Sequence, residues 1–467
     1  MRKTKIIATL GPATSSPEMI GRLIDAGMNL ARLNMSHAPH DWVRQVVKDI
    51  RESARSRNLC VGIIMDTQGP AIRTGDLPAA LDLNPGQKFT LTVRGATSEE
   101  THSVDVNYEN IVNDINVGDV VLVDNGAIRM KVLSKTANKI ECQVLTAGKM
   151  RSRRHINLPG VKVGLPALTA KDIADVELGL EVGVDYIALS FTREAKDLQQ
   201  LKAFTQRAKH KPLVIAKIED QEAVKNLDSI IQEADAIMLA RGDLGIEVPY
   251  EELPIIQRRV IKECLRVGRP VIVATHMLES MIQSPMPTRA EVTDVANAVF
   301  EQADAIMLSG ETTVGKYPVQ CVEVFDRIAC RIERDEAANF QCRAELTSLR
   351  QKLVKSAVFM ADELQADAIV VFTVLGHLAQ FAAWMRPRHS PIYAICDRQE
   401  IADTLALNYA VTPVVKPFDH ADFEKTVTQS LDLLVAKKLL QKGNTVVVIT
   451  SIMVSQTLAD AVQMRKV

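Results

Sequence analysis

The run Leu213-Val-Ile-Ala-Lys-Ile-Glu219, followed after a helical stretch by Ala236-Ile-Met-Leu-Ala-Arg241, decides the fold. Each run is short, apolar and ends on a charge. The same unit recurs outward from this pair, at Thr4–Leu10, Asn29–Asn34, Cys60–Asp66 and Tyr186–Phe191 before it, and at Pro270–Thr275 and Ala305–Ser309 after it. Strands alternating with helical segments imply βαβ units and a parallel sheet. Eight such units fit a closed (β/α)8 TIM barrel. Asp-Ala-Ile-Met-Leu occurs at 235–239 and 304–308, and Asp367-Ala-Ile-Val-Val echoes it. Their spacing is irregular, which marks recurring strand chemistry and not a solenoid.

The rhythm breaks after the third strand. Between Pro70 and Pro166 the pattern becomes alternating, as in Lys88-Phe-Thr-Leu-Thr-Val and Val120-Val-Leu-Val-Asp, and Lys135-Thr-Ala-Asn138 reads as a hairpin turn. A small all-β domain, a β-barrel over 70–166, is expected as an insert with hinges at Gly69-Pro70 and Leu165-Pro166. The catalytic barrel then spans 1–69 and 167–340. Residues 341–467 alternate helices and strands again and read as a C-terminal doubly wound α/β domain, its last strand at 444–450.

With 467 residues the chain can bury several cores without disulfides or metals. Its 56 Lys+Arg against 57 Asp+Glu leave a net charge of −1, which argues against a dedicated nucleic-acid binder. Seven scattered cysteines with no Cys-x-x-Cys pair fit a reducing compartment. The basic Met1–Lys5 is followed by too short an apolar run for a signal peptide, and Gly443–Ala459 falls short of a membrane span. The expected location is the cytoplasm, with no membrane and no nucleic acid as partner.

Chemistry concentrates where the barrel strands end. The second ends Arg32-Leu-Asn34-Met-Ser36-His37, the third Asp66-Thr67, the fifth Lys217-Ile-Glu219, the sixth Arg241-Gly242-Asp243 and the seventh Ala274-Thr275. Residues two apart on a strand share a face, which groups Arg32, Asn34 and Ser36, Lys217 with Glu219, and Arg241 with Asp243. A lone Lys-x-Glu is ordinarily a solvated edge, but five strands delivering polar groups to one rim have no simple structural explanation. Glu219 and Asp243 are hard oxygen ligands suited to Mg²⁺; Lys and Arg suit phosphate. Free amides at Gly242-Asp243-Leu244-Gly245, opening a short helix, suit a carboxylate or phosphate. The residues themselves imply metal-assisted chemistry on a phosphorylated carboxylic acid, and go no further.

Thr4-Lys-Ile-Ile-Ala-Thr-Leu-Gly-Pro, Arg32-Leu-Asn-Met-Ser-His, Met65-Asp-Thr-Gln-Gly-Pro, Ile215-Ala-Lys-Ile-Glu, Met238-Leu-Ala-Arg-Gly-Asp-Leu-Gly and Pro287-Thr-Arg-Ala-Glu resemble the pyruvate kinase family. The resemblance implies phosphoryl transfer from phosphoenolpyruvate to ADP, the last step of glycolysis, in a homotetramer. It implies that Glu219 and Asp243 hold Mg²⁺ or Mn²⁺, and that Lys217 stabilises the phosphoryl group in flight. Arg32 and Arg73 become phosphate clamps, and Gly242, Asp243 and Thr275 the enolate cradle. Asn34, Ser36, Asp66 and Thr67 become a K⁺ site, while Asn34, His37, Arg73 and Arg154 face the nucleotide. The insert becomes a lid that excludes water.

Four positions depart from the family pattern: Gln68, Ala71, Asn125 and His276. The Ser/Thr-rich loop that takes sugar phosphates in relatives reads Thr373-Val-Leu-Gly-His-Leu-Ala-Gln380, and its partner loop Ser451-Ile-Met-Val-Ser-Gln-Thr457. The usual sugar-phosphate activation is therefore expected to be missing. Two alternatives stay open on residues alone: a metal-dependent lyase or aldolase acting on pyruvate or oxaloacetate, and a non-catalytic metabolite-binding paralogue.

Overall fold

The computed structural model describes residues 2–93, 102–208, 210–419, 422–454 and 457–467, with backbone only at 452–454 and 457–459. Eight parallel strands close into a barrel: Lys5–Thr9, Leu30–Asn34, Gly62–Asp66, Tyr186–Leu189, Leu213–Ile218, Ala236–Ala240, Val271–Ala274 and Ala305–Leu308. Period two divides their side chains. Ile7, Leu30, Ile64, Tyr186, Ala188, Ile215, Met238, Ile272 and Met307 form a core cluster of their own inside the barrel. Ile6, Ala31, Leu33, Ile63 and Met65 instead join the larger core shared with the helices. Helix starts are written locally: Thr169 and Thr288 each close a capping box on the helices Ala170–Val182 and Arg289–Phe300.

The recurring Asp-Ala-Ile has a physical cause. Asp235 accepts the amide of Val214 at 2.8 Å, Asp304 that of Val271 at 3.0 Å, and Asp367 that of Thr445 at 2.8 Å. Asp185 does the same for Ile63 at 2.7 Å. A carboxylate just ahead of one strand thus caps its neighbour, satisfying an amide the ladder leaves over. Asp185, Asp235 and Asp304 sit at the barrel's N-terminal end, which Ala406 and Leu407 of the C-terminal region plug; Asp367 caps its neighbour in the same way in the C-terminal sheet.

The insert has its own core, including Phe89, Leu91, Val121, Met130, Ile140 and Cys142. It was expected as an all-β barrel; its described strands form one six-stranded and one two-stranded sheet, and a helical turn, Ile111–Asp114, interrupts the β pattern. The expected hairpin is present, Ile128–Lys135 pairing antiparallel with Lys139–Val144. The C-terminal sheet runs Val411–Val415, Ile392–Cys396, Ala368–Thr373, Thr445–Val454, Thr457–Lys466. Four strands are parallel, and residues on both faces of the sheet are buried in separate cores. The fifth strand is antiparallel and corrects the expected end of the chain. The strand begun near 444 continues through Ser451 to Val454 and folds back, where a loop was expected. Ser455 and Gln456 lie outside the described residues.

Candidate active site

The inner face of the barrel changes character in its last layer. Arg32 stands two residues beyond Leu30, Asp66 beyond Ile64, Ser190 beyond Ala188 and Lys217 beyond Ile215, each on the parity of the interior core. These four meet. Lys217 Nζ lies 3.2 Å from Asp66 Oδ1 and 2.8 Å from Glu219 Oε1, and donates to Ser190 Oγ at 2.7 Å. Arg32 Nε donates to Asp66 Oδ2 at 2.6 Å and its Nη1 to Thr9 Oγ1 at 3.1 Å. All of these side chains are buried. Glu219 lies just past its strand, and the amide of Phe191 holds its Oε2 at 2.6 Å.

Burial alone would raise the Asp66 carboxyl, but Lys217 and Arg32 outweigh it and hold that group below its ordinary value. Burial would lower Lys217; Asp66 and Glu219 outweigh it and push the ammonium up, so it stays charged. Glu219 is raised, because burial exceeds the attraction of the one lysine it shares and Asp243 adds like charge. Glu219 and Asp243 thus add like charge to one another, which an added cation would offset.

No three His, Cys, Asp or Glu groups converge on a metal position among the described residues. Two carboxylates with the remaining positions left to water and substrate match what Mg²⁺ accepts. Each Glu219 oxygen has one neighbour, and a carboxylate oxygen has room for a second. The donor set fits a divalent ion.

Several expected groupings change. The sixth strand stops at Ala240 and the helix Arg241–Glu247 begins at once, so Arg241 and Asp243 are not strand-face mates. Arg241 turns away to Asp294 at 2.6 Å and the carbonyl of Thr275 at 3.0 Å. The Gly242 amide, expected free, donates to Thr275 Oγ1 at 2.6 Å. Thr275 and His276 hold positive φ, 69° and 54°, backbone strain at the rim. Asn34 lies opposite Asp66 in the ladder, and its Oδ1 accepts the Ser36 amide at 3.2 Å. Asp66 and Thr67 are buried nearby, with Thr67 Oγ1 accepting the Ser190 amide at 3.1 Å. His37 is exposed at the same turn. Arg73 and His155, both in the insert, form an isolated antiparallel backbone bridge, and Arg73 Nη1 donates to the Arg153 carbonyl at 3.4 Å. His155 feels both Asp243 and Arg73, and burial lowers its pKa. Arg154 Nη1 reaches Asp124 Oδ1 at 3.3 Å.

Sequence reasoning missed the fourth strand's end. Ser190 joins the Lys217 cluster and Phe191, at φ 52°, supplies an amide to Glu219. The signal was present: period two from Tyr186 and Ala188 points Ser190 into the barrel. A cavity of about 270 Å³ lies beside this turn, lined by His155, Asn157, Phe191, Arg193, Asp220 and Glu247 among others.

The model of the pyruvate kinase barrel domain matches residues 1–322, and that of the pyruvate kinase alpha/beta domain matches 351–462. The chain belongs to the pyruvate kinase family. It is 40% identical to pyruvate kinase isozyme G, chloroplastic, of Nicotiana tabacum, over 96% of this chain and 80% of that one. It is 38% identical to the pyruvate kinase of Geobacillus stearothermophilus, over 98% and 78%. A crystal structure of a pyruvate kinase from Cryptosporidium parvum superposes with a TM-score of 0.94 at 34% identity, covering 100% of this chain and 96% of that one. Family membership carries the activity, phosphoryl transfer from phosphoenolpyruvate to ADP, and leaves the lyase and non-catalytic alternatives without support. The family requires a divalent metal and K⁺. No helix among the described residues is long and apolar enough to cross a membrane.

Proposed function

We propose that this pyruvate kinase works through the rim cluster, with Lys217 as the group that meets the charge of the phosphoryl in transfer. The observation that carries this is a buried ammonium held at once by Asp66, Glu219 and Ser190. Phosphoryl transfer needs positioning and electrostatic stabilisation more than covalent chemistry, and a preorganised buried cation supplies both. Glu219 and Asp243 would hold the divalent ion, which would supply Lewis-acid stabilisation of developing negative charge there. Arg32, fixed by Asp66, and Arg73 bind phosphate. Thr275, with the amides of Gly242 and Asp243, receives the substrate carboxylate, the Gly242 amide being exchanged from Thr275 Oγ1 to substrate. Asn34, His37, Arg73 and Arg154 face the nucleotide, and the 70–166 insert closes over it. The same barrel, 1–69 with 167–340, and the 341–467 domain assemble as a homotetramer in the cytoplasm.

Direct Mn²⁺ titration of two variants tests this assignment. Glu219→Gln is expected to lose divalent affinity and Lys217→Met to keep it, while both lose ATP formation. Equal Mn²⁺ affinity in the two would remove Glu219 from the metal site.

The Asn34, Ser36, Asp66 and Thr67 set supports K⁺ activation, since the uncharged Ala71 offers no substitute for the ion's charge. Full turnover in buffer free of potassium and sodium would contradict it. Sugar-phosphate activation is absent on this reading. The Thr373 hydroxyl already accepts the Gly376 amide at 2.9 Å, and Val374 and Leu375 stand exposed where phosphate donors are needed. A phosphate dianion would lose water there without gaining partners. Millimolar fructose 1,6-bisphosphate, glucose 6-phosphate or ribose 5-phosphate should leave half-saturation by phosphoenolpyruvate unchanged; a several-fold drop with any one refutes this.

A further inference from the structure

The turn Ser190-Phe-Thr-Arg193 touches the Lys217 cluster at one end and the insert's linkers at the other. Ser190 Oγ takes the Lys217 proton donor at 2.7 Å and the Phe191 amide holds Glu219 at 2.6 Å. Arg193 donates its two Nη groups to the carbonyls of Val163 and Leu165, in the irregular linker that returns from the insert. The outgoing linker rests on the same turn. Gly69 adopts φ 70°, and a Cβ there would sit 2.9 Å from both Ser190 Cβ and Phe191 Cδ2. From the insert itself, the His155 ring lies 6.1 Å from the Phe191 ring.

The turn is also fixed within the barrel. Thr192 Oγ1 donates to the Leu189 carbonyl at 2.9 Å, Asp197 accepts the Arg193 amide at 2.9 Å, and Asn226 Nδ2 donates to the Arg193 carbonyl at 2.8 Å. Phe191 holds φ 52°, a conformation that only surrounding contacts maintain in a non-glycine residue. A rigid turn with one end on Glu219 and the other on a linker transmits displacement between them. The planar guanidinium presents its two Nη groups in a fixed fork to the Val163 and Leu165 carbonyls; an ammonium is a compact point charge without that fork.

We propose that Arg193 is a positioning residue that couples the seating of the insert to the orientation of Glu219 and Lys217. Closure draws Val163 and Leu165 onto the rim, Arg193 follows them, and the Phe191 amide and Ser190 hydroxyl are set against the metal-facing carboxylate and the lysine. The coupling is reciprocal: an ion at Glu219 must also steady the linker. This rests on Glu219 being a metal ligand.

The test is amide hydrogen exchange of residues 161–166 in the full-length protein, with and without saturating Mn²⁺, beside direct Mn²⁺ titration and steady-state kinetics. Without substitution, Mn²⁺ should slow exchange in this segment several-fold. In Arg193→Met the segment should exchange fast and ignore Mn²⁺, although Mn²⁺ still binds with affinity changed by no more than a few-fold. Its kcat should fall roughly 10- to 100-fold, the range for a small misplacement of reacting groups, with KM for phosphoenolpyruvate changed less. Arg193→Lys, the milder substitution should Arg193→Met fail to fold, should keep part of the Mn²⁺ response. Arg193→Met or Arg193→Lys with the full response, or lost kcat with the response intact, overturns the proposal. Normal Mn²⁺ binding by Glu219→Gln overturns the metal assignment instead, and with it the route through Glu219.

Discussion

The two ends of the barrel both bury charge, and they use it differently. At the N-terminal end Asp304 accepts amides from Val271 and Tyr409 besides the Arg386 guanidinium at 2.6 Å. Asp185 accepts the Ile63 amide and both of its oxygens meet Arg51 at 2.9 Å. Backbone amides and arginines that also hold backbone carbonyls tie these carboxylates to the fold, and apolar residues plug the opening. At the C-terminal end, among the described residues, Asp66 meets only side chains, Arg32, Lys217 and Ser190, and Glu219 has one amide and one lysine. Asn34, Asp243 and Thr275 around them are only partly buried. Buried charge therefore does not by itself mark a catalytic site. What marks it is a cluster with coordination to spare, facing an open rim.

Lys217→Met should show the largest effect on the open end. Turnover should fall roughly 10²- to 10³-fold, the scale for one preorganised electrostatic group. Steady-state ATP formation measures it; near-normal turnover would make the two ends alike. Asp304→Asn is the matching change at the closed end. It leaves the buried Arg386 charge without its counterion and should cost about 3 kcal/mol of stability, read from chemical denaturation, with kcat within a few-fold of normal. A large kcat loss in a folded Asp304→Asn protein would break the division.

A smaller effect sharpens the boundary of the open end. Burial, countered by the Asn157 amide, raises the Glu247 carboxyl to about 7, from 4.5. Between those values the folded protein binds more protons here than the unfolded chain. Its contribution to stability is full below about pH 4.5 and is lost as pH rises to about 7. Glu247→Gln should flatten the unfolding free energy across that window, and an unchanged slope would show that Glu247 is solvated like a surface carboxylate.

Much of this was legible in the chain. Eight apolar runs at βαβ spacing determine a closed parallel barrel, because each strand is covered on both faces and each helix on one. The charged ends of those runs identify the rim, since apolar strands have no structural use for them. Parity groups Lys217 with Glu219 and Arg32 with Asn34, and Asp66 stands out as the polar end of an apolar run; Ser190 lay on the parity of Tyr186 and Ala188 and was legible in the same way. Tertiary structure decided the rest. Where a strand stops is set by packing, so Arg241 left the face that alternation gave it and turned to Asp294. Whether an amide is free depends on what the next loop brings, and Thr275 claimed Gly242. The closing antiparallel strand Thr457–Lys466 needed Thr445–Val454 as its template. Arg193 has no motif at all: its partners are two carbonyls about thirty residues away, a contact the sequence cannot display because backbone acceptors are the same at every residue.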